Sequence, residues 1–139
     1  MKILVDTNVI LDFFLSREPQ KEAVIELFEQ IYQERIKAFT TTNSVTDIYY
    51  ITAKRLGDKQ AREVIYNLLN ILGIISVDSY DCVNALDLPI TDYEDALIVT
   101  CASKTDVEYI ISNDKGFLCV ETPLASVITA ENFLKMLRT

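Results

Sequence analysis

The sequence contains no histidine and very little glycine. In 139 residues there are three glycines, Gly57, Gly73 and Gly116, and each stands alone. Without histidine, catalysis by a Ser-His-Asp triad, a Cys-His pair or a His-ligated zinc ion is excluded. Isolated glycines form neither a P-loop nor a GxGxxG loop. An enzyme built from this chain must rely on carboxylates, which favour a hard metal ion.

Cysteine is also scarce, and long apolar runs are absent. There are three cysteines, Cys82, Cys101 and Cys119. Their odd number and wide spacing argue against a disulfide framework or a zinc site. The first apolar run stops at Asp6, unlike a signal peptide. No apolar stretch approaches the roughly 20 residues needed to span a bilayer. We therefore expect a soluble cytoplasmic protein that has no membrane partner.

Positive charge is in deficit, since 13 Lys and Arg face 21 Asp and Glu and the net charge is -8. This balance argues against a non-specific electrostatic grip on nucleic acid. An acidic protein can still act on RNA if metal ions neutralise its site and a local basic rim guides the strand. The acidity also suits a basic protein partner.

Short apolar segments alternate with helical patterns along the chain. The predicted strands cover residues 2–5, 36–40, 74–77, 107–111 and 125–128. The predicted helices cover residues 9–16, 20–33, 45–55, 58–72, 79–86, 92–104 and 130–137. Such alternation favours a parallel sheet with helices on both faces. The length suits one compact domain, residues 1–139.

Two aspartates follow predicted strands. Asp6 comes directly after the first strand, and Asp114 comes shortly after the strand that ends at Ile111. Ligands of open parallel sheets gather beyond the carboxyl ends of the strands, so these carboxylates converge if the strands are neighbours. Each also has a purely structural interpretation, because Asp6 could cap a helix and Asp114 could serve a turn.

Asp95 and Asp47 lie on predicted helices. A capping box of Thr91 and Glu94 would place Asp95 at the fourth helical position, on an apolar stripe. A carboxylate at the edge of the core needs a partner or a cation. The alternative is an aspartate favoured by the helix dipole, which Asp92 and Glu94 fit better. Asp47 follows Ser44 in a first turn and could equally belong to a cap.

The four aspartates carry more information together than singly. Crowded carboxylates raise one another's pKa, and a divalent cation removes that repulsion. Ligation by oxygen alone suits Mg²⁺ or Mn²⁺. These ions lower the pKa of a bound water and brace a phosphate during in-line displacement. Hydrolysis of a phosphodiester without histidine is therefore physically reasonable.

Four segments, in order, resemble motifs of the PIN-domain family. Val5–Val9 is similar to its opening strand-end motif, Asp92–Leu97 to the start of its central helix, and Ile111–Phe117 to its late strand-end motif. Thr46–Tyr50 falls where the family has an acidic residue on a helix. The resemblance spans nearly the whole chain. It implies a three-layer α/β/α sandwich around a mainly parallel five-stranded sheet.

The resemblance also implies a Mg²⁺- or Mn²⁺-dependent endoribonuclease that cleaves RNA. It points to VapC-type toxins, small members that form homodimers and are silenced by a cognate antitoxin. It assigns catalysis to Asp6, Asp47, Asp95 and Asp114, with metal ligation by Asp6, Asp95 and Asp114. Supporting hydrogen bonds would come from Thr7, Asn8 and Ser44, and Asn113 would orient a water. Many members carry Glu where Asp47 stands, so Asp47 would act through water or contribute weakly.

A basic rim for the substrate has five candidate residues, namely Arg17, Lys54, Arg55, Lys104 and Lys115. Solvated helix faces are the alternative interpretation of these charges.

Other classes of protein remain open from the sequence. An aspartate after the first strand also suits a haloacid-dehalogenase-like phosphatase, although such enzymes favour a second acid where this chain has Asn8. A receiver-like module, with Asp78 near the place of its phospho-acceptor, or a PIN domain without activity would instead bind a partner.

Overall fold

The computed structural model describes residues 1–139 and contains one five-stranded sheet. Its strands are β1 (Lys2–Val5), β2 (Lys37–Thr41), β3 (Gly73–Ile75), β4 (Tyr109–Ile111) and β5 (Ser126–Ile128). The strand order is β3-β2-β1-β4-β5, and every neighbouring pair is parallel. Strand order reverses between β1 and β4, so their carboxyl ends flank the crevice where this fold class binds ligands. The predicted parallel sheet is confirmed.

Eight helices cover the two faces of the sheet. They are α1 (Thr7–Phe14), α2 (Lys21–Tyr32), α3 (Thr42–Leu56), α4 (Asp58–Ile71), α5 (Ser79–Leu86), α6 (Tyr93–Lys104), α7 (Lys115–Leu118) and α8 (Ala130–Leu137). Alternate residues of β1 point to opposite faces. Ile3 and Val5 join a core with α1, α2 and α8, whereas Leu4 joins a core with α6. The predicted three-layer sandwich is therefore confirmed. None of these helices is both long and apolar enough to cross a membrane.

Two predicted helix starts were wrong in ways that move site residues. Helix α3 begins at Thr42 because Thr41, the last residue of β2, is its N-cap and accepts a hydrogen bond from the Ser44 amide at 3.2 Å. Ser44 is therefore buried inside the first turn. Asp47 lies in the second turn, so it is not part of a capping box.

The start of α6 differs from the prediction for the same kind of reason. The N-cap is Asp92, whose Oδ1 accepts a hydrogen bond from the Asp95 amide at 3.0 Å. The predicted box of Thr91 and Glu94 is wrong, and Asp95 occupies the third helical position. An aspartate three residues before the amide it caps is the usual arrangement.

Gly73 is required by close packing between β2 and β3. A Cβ at this position would lie 2.7 Å from Cδ1 of Phe39. The helix predicted over residues 58–72 ends at Ile71, and Gly73 is the first residue of β3. Its role is to let the edge strand approach Phe39.

Candidate active site

Asp6 is held rigidly at the carboxyl end of β1. Its amide donates to the Ile111 carbonyl at 2.9 Å, so the chain is still paired to β4 at this point. The side chain is 8% exposed, and its two oxygens accept different hydrogen bonds. Oδ1 accepts from the Thr7 amide and Oδ2 from the Ser112 hydroxyl, each at 2.9 Å. The carboxylate therefore has one fixed orientation.

Asp114 is tied to Asp6 through the same serine. Its amide donates to the Ser112 hydroxyl oxygen at 3.1 Å, and its Oδ1 accepts from the Gly116 amide at 3.3 Å. Asp114 caps α7, a short helix that was not predicted. Ser112 is fully buried and was also not predicted, although its place directly after β4 is a signal that could have found it.

Asp95 and Asp114 line one open cleft of about 550 Å³. The cleft is completed by Asp92, by the segment before α6 and by residues that follow α7. Asp95 enters it from the first turn of α6, where its side chain is half-buried. The cleft therefore joins side chains from two elements that are distant in sequence.

Burial and neighbouring charges raise the pKa of two acidic side chains at this site. Burial, followed by the charges of Asp92, Asp6, Asp114 and Glu94, raises the pKa of Asp95 to about 7. Burial and the charge of Asp114 raise the pKa of Asp6, against the lowering effect of its hydrogen bonds from Ser112 and Thr7. The structure thus brings Asp6, Asp95 and Asp114 into one electrostatic cluster, as crowded carboxylates require.

Glu94 is a member of this cluster that sequence reasoning assigned to the helix dipole instead. Its pKa is raised by burial and then by the charges of Asp47, Asp6 and Asp92. Asp47 is exposed on α3 and does not line the cleft, but its charge reaches Glu94. The cluster therefore extends through Glu94 to Asp47 at its margin.

The polar residues predicted to support the site have different surroundings. The Thr7 hydroxyl lies 2.8 Å from the Ser44 hydroxyl, which also lies 3.1 Å from that of Thr41. This chain of hydroxyls connects the start of α1 to the start of α3. The exposed side chain of Asn8 makes no hydrogen bond. The backbone carbonyl of Asn8 accepts a hydrogen bond from the Arg17 guanidinium.

A second buried acid, Asp12 on α1, was not among the predicted site residues. It is 8% exposed. Its Oδ1 accepts from Arg17 Nε at 2.8 Å, and its Oδ2 accepts from Asn113 Nδ2 at 3.3 Å. Oδ1 of Asn113 is buried without a partner. Asn113 thus anchors the loop before Asp114 to α1.

Two cations predicted for the basic rim are engaged elsewhere. Arg17 pairs with Asp12. Lys104 Nζ lies 2.5 Å from Asp81 Oδ2 and 2.6 Å from the Ser76 carbonyl oxygen. Lys104 is the last residue of α6, roughly 13 Å along the helix from Asp95 at the usual rise per residue. Lys115 is exposed beside Asp114, and Lys54 and Arg55 are exposed in the last turn of α3.

The donor set suits a hard divalent cation, although no three acidic or cysteine side chains converge closely enough to enclose one directly. Magnesium usually keeps several waters and is bound through one or two carboxylates. Asp95 and Asp114 supply two carboxylates at one cleft, which Asp92, Glu121 and Cys119 also line. Burial and then the neighbouring negative charges raise the pKa of Asp95, and a bound cation would favour its charged form.

A parallel sheet with acidic residues at its switch point agrees with the resemblance to PIN domains seen in the sequence. The sequence model of the PIN-domain family matches residues 2–116, so the chain belongs to this family. The chain is 29% identical to Ribonuclease VapC1 of Aquifex aeolicus (strain VF5), over 99% of this chain and 96% of that protein. The predicted alternatives of a dehalogenase-like phosphatase and a receiver-like module are therefore wrong.

Solved structures share the fold at low identity. VapBC2 from Rickettsia felis, bound to a DNA fragment from its promoter, superposes with a TM-score of 0.69 and 16% identity, over 93% of this chain and 98% of that chain. A toxin-antitoxin complex from Klebsiella pneumoniae gives 0.66 and 19%, over 92% and 97%. The sarcin-ricin loop cleaving toxin VapC20 of Mycobacterium tuberculosis gives 0.63 and 15%, over 83% and 92%.

Proposed function

We propose that this protein is an endoribonuclease that hydrolyses RNA phosphodiester bonds with Mg²⁺ or Mn²⁺, in the cytoplasm, through one domain of residues 1–139. The observation that carries the proposal is the closeness of Asp6, Asp95 and Asp114 at the crevice between β1 and β4. There the charges of Asp6 and Asp114 contribute to the raised pKa of Asp95, and the charge of Asp114 contributes to the raised pKa of Asp6. The similarity to Ribonuclease VapC1 over 99% of the chain supports the choice of RNA.

The side chains would divide the work by their positions. Asp95 and Asp114, which line the cleft, would hold the ion, with Asp6 as the third carboxylate of the cluster. The bound ion would supply a more acidic water and stabilise negative charge on the phosphate. The Ser112 hydroxyl and the Thr7 amide hold the Asp6 carboxylate in one orientation, so this carboxylate would need little rearrangement during the reaction. Asp47 would act through water or through Glu94, because it does not line the cleft.

A cleavage assay tests the proposal. The substrate is an end-labelled single-stranded RNA with Mg²⁺ or Mn²⁺, and the variant is Asp95→Asn. We expect the rate to fall at least about 100-fold, a typical cost of removing a group from the chemistry. Asp87→Asn, an exposed aspartate outside the cleft, is the matched control and should keep full activity. Cleavage that persists in excess EDTA, or full activity of Asp95→Asn, would reject the proposal.

We propose further that the chain is the toxin of a toxin-antitoxin pair and forms a homodimer. Complexes of VapBC type are among the solved structures that share its fold, and the net charge of -8 suits a basic partner. Induced expression should arrest growth of a bacterial host, Asp95→Asn should not, and the product of a neighbouring small reading frame should restore growth. Sedimentation should give twice the mass of the chain. Normal growth despite folded, active protein would contradict the toxin role.

A further inference from the structure

Tyrosine rings gather on the outer surface of the α3–α4 hairpin, away from the acidic cleft. Tyr49, Tyr50, Arg62 and Tyr66 line an open groove of about 460 Å³ together with apolar side chains. Tyr50 is 68% and Tyr66 69% exposed. Tyr49 is fixed, because its hydroxyl donates to Asp58 and the Arg62 guanidinium lies 5.8 Å from its ring centre. The groove therefore presents aromatic faces to solvent.

Positive charge is concentrated beside these rings. Residues 54–62 contain four basic side chains, Lys54, Arg55, Lys59 and Arg62, and one acidic side chain, Asp58, in a chain of net charge -8. Only Arg62 of the four forms an ion pair. A local excess of basic side chains on an acidic protein attracts polyanions.

The rings and the cations share helix faces. On α3, Asp47, Tyr50 and Lys54 are three and four residues apart, and on α4 Lys59, Arg62 and Tyr66 are spaced in the same way. Side chains at these spacings are neighbours on one face of a helix. A second groove, of about 600 Å³, is lined by Lys59 and by the acidic residues Asp58 and Glu63, and it shares Arg62 and Tyr66 with the first. Asp47, at the margin of the acidic cluster, therefore lies about one helical turn from Tyr50 on α3.

We propose that this tyrosine surface, formed by Tyr50, Tyr66, Lys54, Arg55 and Lys59, binds the single-stranded RNA substrate as it leaves the cleft. Bases stack on the rings of Tyr50 and Tyr66, and the cations meet phosphates. Stacking on aromatic side chains accepts any base, whereas free cations track the backbone. The inference rests on the proposed ribonuclease activity. The position of Asp47, one helical turn from Tyr50 and at the margin of the acidic cluster, favours RNA over a protein partner.

A paired substitution separates stacking from charge. Tyr50→Ala/Tyr66→Ala is compared with Tyr80→Ala, a tyrosine on α5 that is 78% exposed. The probes are a fluorescein-labelled 12-nucleotide RNA and an abasic strand of equal length, and binding is followed by anisotropy in EDTA so that no cleavage occurs. The double variant should bind the RNA about 10-fold or more weakly, within the usual range for lost base stacking. Its affinity for the abasic strand, and both affinities of Tyr80→Ala, should not change.

The cations are tested by the salt dependence of binding. Lys54→Gln/Arg55→Gln should weaken binding of both strands and lower the slope of log affinity against log salt by about 1.4, since each lost phosphate contact on a single strand contributes about 0.7. Lys2→Gln/Arg35→Gln removes the same two kinds of charge from exposed positions outside the surface and should leave the slope unchanged.

The outcomes distinguish this inference from the proposed function. Unchanged RNA affinity in the tyrosine variant, or equal weakening of the abasic strand, overturns the stacking surface and leaves ribonuclease activity intact. RNA binding by a wild-type protein that never cleaves contradicts the proposed function and not the surface. If the tyrosine variant changes from dimer to monomer while its RNA affinity stays the same, the surface serves self-association and the proposal is wrong.

Discussion

The Ser112 hydroxyl donates to Oδ2 of Asp6 at 2.9 Å, joining residues that are 106 positions apart. The Ser112 hydroxyl oxygen also accepts a hydrogen bond from the Asp114 amide at 3.1 Å. One buried hydroxyl therefore orients an aspartate on β1 and the loop that carries an aspartate after β4. The two hydrogen bonds of Ser112 align the two strand ends.

Although Ser112→Ala removes only one hydroxyl group, it should lower both the stability of the fold and the activity of the site. It leaves Oδ2 of Asp6 buried without its donor, which typically costs about 1–3 kcal/mol of stability. Loss of a side chain that orients a metal-binding carboxylate typically lowers activity about 10–100-fold. Urea unfolding and the RNA cleavage rate measure the two effects. Ser79→Ala, an exposed serine at the start of α5, is the control, and equal behaviour of the two variants would contradict the role of Ser112.

The stability of the metal-free protein should fall as pH rises between about 4 and 7. The folded-state pKa of Asp95 is raised from 3.8 to about 7, so in this window the folded chain binds more protons than the unfolded chain. Unfolding free energy then decreases with pH. Asp95→Asn should be more stable than wild type by about 1–2 kcal/mol at pH 8, a figure reduced for screening of a partly exposed group. Urea unfolding in EDTA at pH 4 and pH 8 should show the difference only at pH 8.

Addition of Mn²⁺ at pH 8 should reverse this effect. An ion that binds only the folded state adds about 2.7 kcal/mol when present at 100 times its dissociation constant. Thermal unfolding with and without MnCl₂ should show a rise in Tm for wild type and for Asp87→Asn. Asp95→Asn and Asp114→Asn should gain much less. An equal rise in all four proteins would place the ion outside the acidic cleft.

Asp12→Ala should destabilise the fold and loosen the loop before Asp114. The substitution leaves the Arg17 guanidinium without its carboxylate and Asn113 Nδ2 without its acceptor. Breaking a buried pair in this way costs about 3 kcal/mol. The exposed pair of Glu131 and Lys135 gives the comparison, because Glu131→Ala should cost only about 0.5 kcal/mol. Similar unfolding midpoints for the two variants would show that Asp12 is not structurally important.

The parallel sheet and the positions of Asp6 and Asp114 could be predicted from the sequence. Apolar runs that end abruptly at Asp6 and shortly before Asp114 mark the carboxyl ends of strands, and parallel strands place those ends on one edge. The pairing of Ile3 with Tyr109 then brings the two ends side by side. These features depend on local pattern and on a general rule of topology.

Other parts of the site depend on contacts between distant residues. Four consecutive residues, from Thr41 to Ser44, are all acceptable caps, and only the burial of Ser44 against Thr7 selects Thr41. Asp12 has partners 5 and 101 positions away, so nothing local marks it as buried. Lys104 was assigned to a basic rim, but its partner Asp81 comes from another helix.

The pairing of β1 with β4 also sets a time order for synthesis. The first strand leaves the ribosome about a hundred residues before its partner, as the register of Ile3 with Tyr109 requires. Until then Asp6 has neither Ser112 nor Asp114 beside it. A nascent chain that has not yet reached Asp114 therefore lacks an assembled acidic centre and cannot yet act as the proposed nuclease.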